Sequence, residues 1–512
     1  MSKRKAGLLN ASERDGVVYR KATFAQLILG NANNGAGTLF YLVLGYASMI
    51  APQGYGISIL VTGWILMVTR MLDGVSDMIV SAVFERVNPK RGKIRIMILS
   101  GWAIAAVAMI TMYNWTAGKF DGILGVIVFV ALYILFDIGN TINGVAAGTI
   151  ATVLTNDPTQ RPMMGLVGTI FSYSTPLIIM NIITFVILPR HNMQYDVPML
   201  GEVMFWMAGI SLIFVLLTCW GVKDVDNAET FARLPKSDDK QKEEKVSIKD
   251  MWSVLKDNRN VQMYMLAGIS DKLAQQVMGT GVVSTLLAGV LIQSYAANTM
   301  VGNISQIVGI GFAFVGSMVI AKWGVKKAEV VWSWASIIVT GAIVAMFLIV
   351  CLTSGGVEGM TKFGVMGLPL VLYALLNLGK TGTSMALSTV AGAMRGDITD
   401  YEYERSGNYM PAVVSGVYSL IDKIVSSFAS VVATGTIALV GYATTVPQQG
   451  DPATWPIFWA AMFLNFGLPI LGWICNLIAM KFYTLDKDRM IEVQKNLNAR
   501  REAAGINVEG KQ

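Results

Sequence analysis

Apolar residues fall into about twelve blocks of membrane-spanning length, joined by polar stretches that are mostly short. The first six blocks run over residues 24–50, 57–84, 96–113, 122–154, 162–188 and 203–222. The second six run over 260–293, 300–323, 329–352, 364–394, 411–442 and 455–483. A hydrocarbon core about 30 Å thick needs about 20 apolar residues in a helix, so each block is long enough to cross it. Between the two sets lies KDVDNAETFARLPKSDDKQKEEKVSIKD, charged and poor in apolar residues. The pattern predicts an all-α membrane protein with 12 transmembrane helices in two six-helix bundles. The expected divisions are a bundle over 1–222, a cytoplasmic linker over 223–252, a second bundle over 253–484 and a cytoplasmic tail over 485–512.

Composition agrees. The chain of 512 residues is 54% hydrophobic and 14% charged, and its mean hydropathy is +0.54. Soluble domains carry about 25% charged residues. Basic residues cluster in alternate loops: Arg86, Lys90, Arg91, Lys93 and Arg95 after the second block, and Lys322, Lys326 and Lys327 after the eighth. The loops between, such as APQGYG and QSYAANTM, carry none. By the positive-inside rule both termini are expected in the cytoplasm, and the multi-pass chain in the cell's inner (cytoplasmic) membrane. The net charge of +7 follows from those loops and needs no nucleic-acid partner. The polar N-terminus has no continuous apolar run before a cleavage site, so no signal peptide is expected.

Catalytic chemistry finds little footing. Cys219, Cys351 and Cys475 all sit in apolar blocks, and the single histidine, His191, is expected in an exposed external loop. No phosphate-binding G-x-x-x-x-G-K-[ST] run occurs. An enzyme is not expected, nor a cofactor.

Polar residues inside the blocks carry the functional signal. The second block holds Arg70, Asp73 and Asp77 on one helical face. An ionisable group in hydrocarbon costs at least about 2.5 kcal/mol, so three on one face must look into protein or water. Asn31 and Asn34 share a face in the first block; Asp137, Asn140, Thr141 and Gly144 share one in the fourth. Further polar stripes are Asp271, Lys272, Gln275 and Gln276 in the seventh block, and Asn377, Lys380, Thr381, Ser384 and Ser388 in the tenth. The eleventh carries Ser415, Ser419, Asp422, Lys423 and Ser426. After the tenth block MRGDITDYEYERSGNYMP reads as a cytoplasmic loop, dense enough in charge to form a gate with the basic loop after the second. Two related sets of six with a central linker is a build found in transporters of the major facilitator type, which bind substrate near the midplane.

Four stretches resemble the glycoside–pentoside–hexuronide:cation symporters, a melibiose permease-like family of the major facilitator superfamily. They are RMLDGVSDMIVSAVFERVNPKRGKIR, ALYILFDIGNTINGV, MRGDITDYEYERSG and SLIDKIVSSFAS, in family order across most of the chain. The resemblance implies that Asp73 and Asp77 couple to a cation, with Ser76 beside them. It implies that Asp137 accepts sugar hydroxyls, and that Lys423 lies near the cation site. It makes Arg70 the charge partner of the carboxylates. Asn140, Thr141, Asn31, Asn34, Lys380 and Lys423 are added as substrate candidates, and Asp397, Asp400 and Glu402 as gate residues. Two departures bear on specificity. Thr141 stands where galactoside-binding members carry a tryptophan, which argues against melibiose itself. Ile134 stands where a hydroxyl helps the sodium site; a proton needs only a carboxylate, while sodium wants several oxygens. The coupling ion stays open between H+ and Na+.

The expected function is uptake of a glycoside, pentoside or hexuronide with a cation by alternating access, by a monomer in the lipid bilayer. The alternatives are a carrier of the same fold for a lysolipid or drug, and a non-transporting sensor.

Overall fold

The computed structural model describes residues 11–14, 17–86, 92–155, 160–227, 256, 258–357, 367–406 and 411–503. Strands β1 (Ala11–Arg14) and β2 (Val17–Arg20) pair antiparallel with Ala11 opposite Arg20. Among the described residues everything regular after them is helical. The order is α1 (Phe24–Gly30), α2 (Asn33–Tyr55), α3 (Ile59–Arg86), α4 (Ile94–Ile110), α5 (Gly122–Gly148), α6 (Ile150–Leu154), α7 (Gln160–Ile182) and α8 (Val197–Val222). Then come α9 (Arg259–Met278), α10 (Gly281–Thr285), α11 (Tyr295–Trp323), α12 (Val325–Thr353), α13 (Leu368–Ser406), α14 (Pro411–Leu439), α15 (Trp455–Met462), α16 (Leu468–Phe482) and α17 (Lys487–Ala503). Among the described residues ten helices are long and apolar enough to span a membrane, eleven if the pair bent by 67° at Met278–Gly281 counts as one. Helix α13 is long enough as well, but its polar stripe of Asn377, Lys380, Thr381 and Ser384 keeps it less apolar than the rest.

Large apolar side chains line the outside. On α3 Leu60, Trp64, Val68, Leu72 and Ile79 are exposed, and on α11 Ile304, Ile307, Phe314 and Met318. Patches of this extent suit lipid rather than water.

The chain forms two compact units. The first falls within Met1–Lys242 and adds Gly279–Val282 and Thr434–Gln448; the second falls within Glu243–Met278, Val283–Ala433 and Gln449–Gln512. The added segments are tied to the rest of the first unit by hydrogen bonds and one close backbone approach. Ile59 N donates to Ala443 O at 2.9 Å. The Gln448 amide exchanges hydrogen bonds with the Tyr195 main chain, at 2.8 and 3.1 Å. A Cβ on Gly45 would stand 2.7 Å from Gly279 O.

In the first unit Ile94, Ile98, Ala146, Ile150, Leu154 and Val222 form a core beside the candidate residues. Helices α4 and α5 touch backbone to backbone. A Cβ on Gly101 would lie 2.6 Å from Asn143 N, and one on Gly139 2.8 Å from Gly101 O. The start of α4 is fixed by Asp226, fully buried, whose carboxylate accepts from Lys93 N, Ile94 N and Arg95 N at 2.9–3.1 Å and pairs with Arg95. Those are the helix's otherwise unbonded first amides. In the second unit Tyr264, Val325, Val390, Met394, Ile398 and Tyr483 lie in one core. His191 is partly buried rather than exposed, with Nε2 3.0 Å from Glu202.

Candidate functional site

The first expected transmembrane helix is broken. Helix α1 stops at Gly30 and α2 starts at Asn33, with a turn over Asn31–Ala32. Asparagine suits the break because its amide competes with helical backbone bonds. Asn31 Nδ2 donates to Leu27 O at 2.7 Å, and Asn34 Nδ2 to Asn31 O at 2.9 Å. Irregular backbone at membrane depth is tolerated where it lines a polar cavity. Such a cavity is present, about 530 Å³ in volume, its polar lining including Asn31, Asn33, Asn34, Asn140, Asn143 and Ser172.

Asn33 is 4% exposed and donates to Asn143 Oδ1 at 2.7 Å. Its own Oδ1 has no hydrogen-bond partner among the described residues. Asn143 is held in turn by donating to Ile98 O at 3.2 Å. Neither Asn33 nor Asn143 was a candidate from sequence, because the i, i+3 rule applied across the break favours Asn31 and Asn34.

Helix α3 runs unbroken through Arg70, Asp73, Ser76 and Asp77, and all four are half-buried. Thr141 Oγ1, on α5, donates to Asp73 Oδ1 at 3.0 Å. Ser76 donates to the Asp73 main-chain carbonyl at 2.9 Å. Tyr133, buried on α5 one turn before Asp137, shares a hydrogen bond with Thr69 and lies within electrostatic reach of Asp137, Arg70 and Asp73. Tyr133 was missed as well; its i, i+4 spacing from Asp137 was the available signal.

The α5 face therefore splits in two. Asn140 and Gly144 line the cavity. Thr141 meets Asp73, and Asp137 lies with Tyr133. Successive helical residues point about 100° apart, so Asn140 and Thr141 join an amide-lined cavity to a carboxylate cluster.

The remaining candidates lie in the second unit. Lys380 Nζ donates to Asn465 O at 3.2 Å and sits 4.7 Å from the Phe466 ring centre. Lys423 is half-buried on α14. Of the stretch expected as a gate loop, residues 394–406 are instead the last turns of α13, and 407–410 fall outside the described residues. Glu402, buried, accepts from Asn258 at 2.6 Å and pairs with Arg405 at 2.8 Å. Asp400 accepts from Gln494 at 2.7 Å, and Glu404 pairs with Arg489 at 2.8 Å, both partners on α17. Burial, then the neighbouring Asp400, pushes the Asp397 carboxyl up to about 6. Of the basic loop after α3, Arg95 pairs with Asp226 and Lys93 Nζ donates to Phe84 O. Lys90 and Arg91 fall outside the described residues, as does the side chain of Arg86.

A family model described as MFS/sugar transport protein matches residues 33–487. The lactose permease of Lactobacillus helveticus is 22% identical over 452 residues, covering 84% of this chain and 64% of that protein. The chain thus spans somewhat less than two thirds of that relative's length. Among solved structures, a bacterial homologue of the human drug peptide transporters PepT1 and PepT2 superposes with TM-score 0.56 at 12% identity, over 92% of this chain and 99% of that one. The nucleoside transporter NupG superposes with TM-score 0.53 at 12% identity, over 90% and 100%. At such identities the likeness is one of fold.

Proposed function

This chain belongs to the MFS/sugar transport protein family, and from that premise we propose that it is a symporter that takes up a glycoside, pentoside or hexuronide together with H+ or Na+. It works in the inner (cytoplasmic) membrane by alternating access. The observation that carries the reading is the adjacency of Asn140 and Thr141: one lines the amide cavity, the next binds Asp73.

The cavity's chemistry suits hydroxyls. Amides offer donors and acceptors without a fixed charge to desolvate. The unbonded Asn33 Oδ1 is a ready acceptor for a sugar hydroxyl. Its volume of about 530 Å³ falls in the range of small-molecule sites.

The cation neutralises Asp73 and Asp77, with Ser76 beside them. Arg70 is the charge they otherwise face. When a cation neutralises Asp73, the Thr141 hydrogen bond reports it to α5, the helix that also carries Asn140. Asp137, on the α5 face it shares with Tyr133, accepts sugar hydroxyls, while Lys380 and Lys423 favour an anionic hexuronide.

The test is uptake of a labelled sugar panel into vesicles holding the purified protein, with sodium and proton gradients imposed separately. One sugar should accumulate under one gradient. Asp77→Asn should abolish accumulation while keeping binding or exchange. Full accumulation by that variant, or uptake of a lysolipid or drug in place of every sugar, would overturn the reading.

A further inference from the structure

The second unit contains a carboxyl that the proposed symport does not use. Glu329, in the first turns of α12, is 4% exposed. Asn476 Nδ2, on α16, donates to its Oε1 at 2.9 Å, and its Oε2 has no hydrogen-bond partner among the described residues. Glu329 lines a cavity of about 250 Å³ with Asp271, Lys272, Gln275, Arg395 and Asn476.

Among the described residues, the charges around that cavity leave Glu329 without an ion-pair partner. Asp271, on α9, accepts from Gln275 at 2.7 Å and is offset by the charge of Lys272, its chain neighbour. Lys272 Nζ itself donates to Gln275 Oε1 at 3.3 Å. Arg395, on α13, donates to Tyr264 Oη at 3.0 Å and lies 4.8 Å from the Tyr418 ring. Tyr483, at the end of α16, is neutral, and the charge that Glu329 feels is that of Asp271. On its own helix Glu329 is followed at helical spacing by Ser333, Ser336 and Thr340, each fully buried with an unbonded hydroxyl and none charged. A lone buried carboxylate costs several kcal/mol, and breaking a buried pair costs as much. A bound proton removes that cost with no further partner.

We propose that Glu329 is a second proton-binding site of this protein, in the second unit, exchanging with water through the cavity it shares with Asp271. The cavity has room for several waters at about 30 Å³ each. A proton bound at Glu329 leaves Asp271 as the one ionised carboxylate lining the cavity among the described residues; when it departs, two like charges face each other there. Occupancy of Glu329 therefore sets how α9, α12 and α16 pack. This rests on the symport reading only in giving the proton a role in transport; the binding itself does not depend on the substrate.

The experiment is an infrared pH titration of the purified full-length protein, with no sugar present. Wild type should show a carboxylic-acid carbonyl band at neutral pH. Glu329→Gln should lose it, Asp271→Asn should keep it, and Asn476→Ala should shift it by removing the amide donor to Oε1. A band unchanged in Glu329→Gln, lost in Asp271→Asn, or unmoved in Asn476→Ala would overturn the assignment. Because Asn476→Ala retains the carboxyl, the assignment stays testable even if Glu329→Gln does not fold. Failure of every sugar in the vesicle assay would leave these spectra unchanged, so the two readings fail separately.

Discussion

Asn33 shows how one residue changes role with its backbone. In a continuous helix it would point away from Asn31 and Asn34; after the break at Asn31–Ala32 it lines the same cavity and keeps an unbonded acceptor. Asn33→Leu should weaken sugar binding about tenfold, since losing one hydrogen bond to a buried polar group is worth about 1–1.5 kcal/mol. Equilibrium binding to the purified variant checks this. Asp397 carries a different test. Its carboxyl sits at about 6, above its ordinary value of 3.8, because of burial and then Asp400. Between roughly pH 4 and 6 the folded chain holds more protons than the unfolded one, so stability falls as pH rises through that window. Asp397→Asn should flatten this part of the stability curve and make the protein more stable at neutral pH. Thermal unfolding followed from acid to neutral pH decides it. The charged face of Asp73 and Asp77 was legible from spacing alone. Tyr133 was not, because a tyrosine in an apolar run reads as packing until Thr69, Arg70 and Asp137 are seen around it.

At the level of elements, the fourth helix face depends on a close crossing that periodicity does not reveal. Gly101 and Gly139 let α4 and α5 meet backbone to backbone. That contact holds Asn143 against Ile98 O, and through it Asn33. Gly139→Leu should force the helices apart and destabilise the protein by about 1–3 kcal/mol, as overpacking does. A lower unfolding temperature with weaker sugar binding would show it; unchanged values would refute the link. The end of α13 shows the opposite error. Its acids read as a cytoplasmic loop, yet the helix continues to Ser406, and Asn258, Arg405, Arg489 and Gln494 satisfy Asp400, Glu402 and Glu404. Such partners lie 85 or more residues away, except for Arg405, and leave no local pattern.

For the whole molecule, coupling is a binding free energy shared by two ligands, and it is reciprocal. If the cation raises sugar affinity by some factor, sugar must raise cation affinity by the same factor. Titrating each ligand at fixed concentrations of the other measures both, and unequal factors at equilibrium would rule out a single linked symport cycle. The amino-acid pattern by itself determined that the chain is a helical membrane protein and which helix carries Asp73 and Asp77, because apolar length and the cost of charge in hydrocarbon are local quantities. Tertiary structure alone decided that Asn33 and Asn143 share a cavity, that Thr141 rather than Asn140 meets Asp73, and that Glu329 Oε2 has no hydrogen-bond partner among the described residues. Each of those depends on a broken helix or a neighbouring helix's backbone, and the geometry of such approaches is set by packing between distant segments.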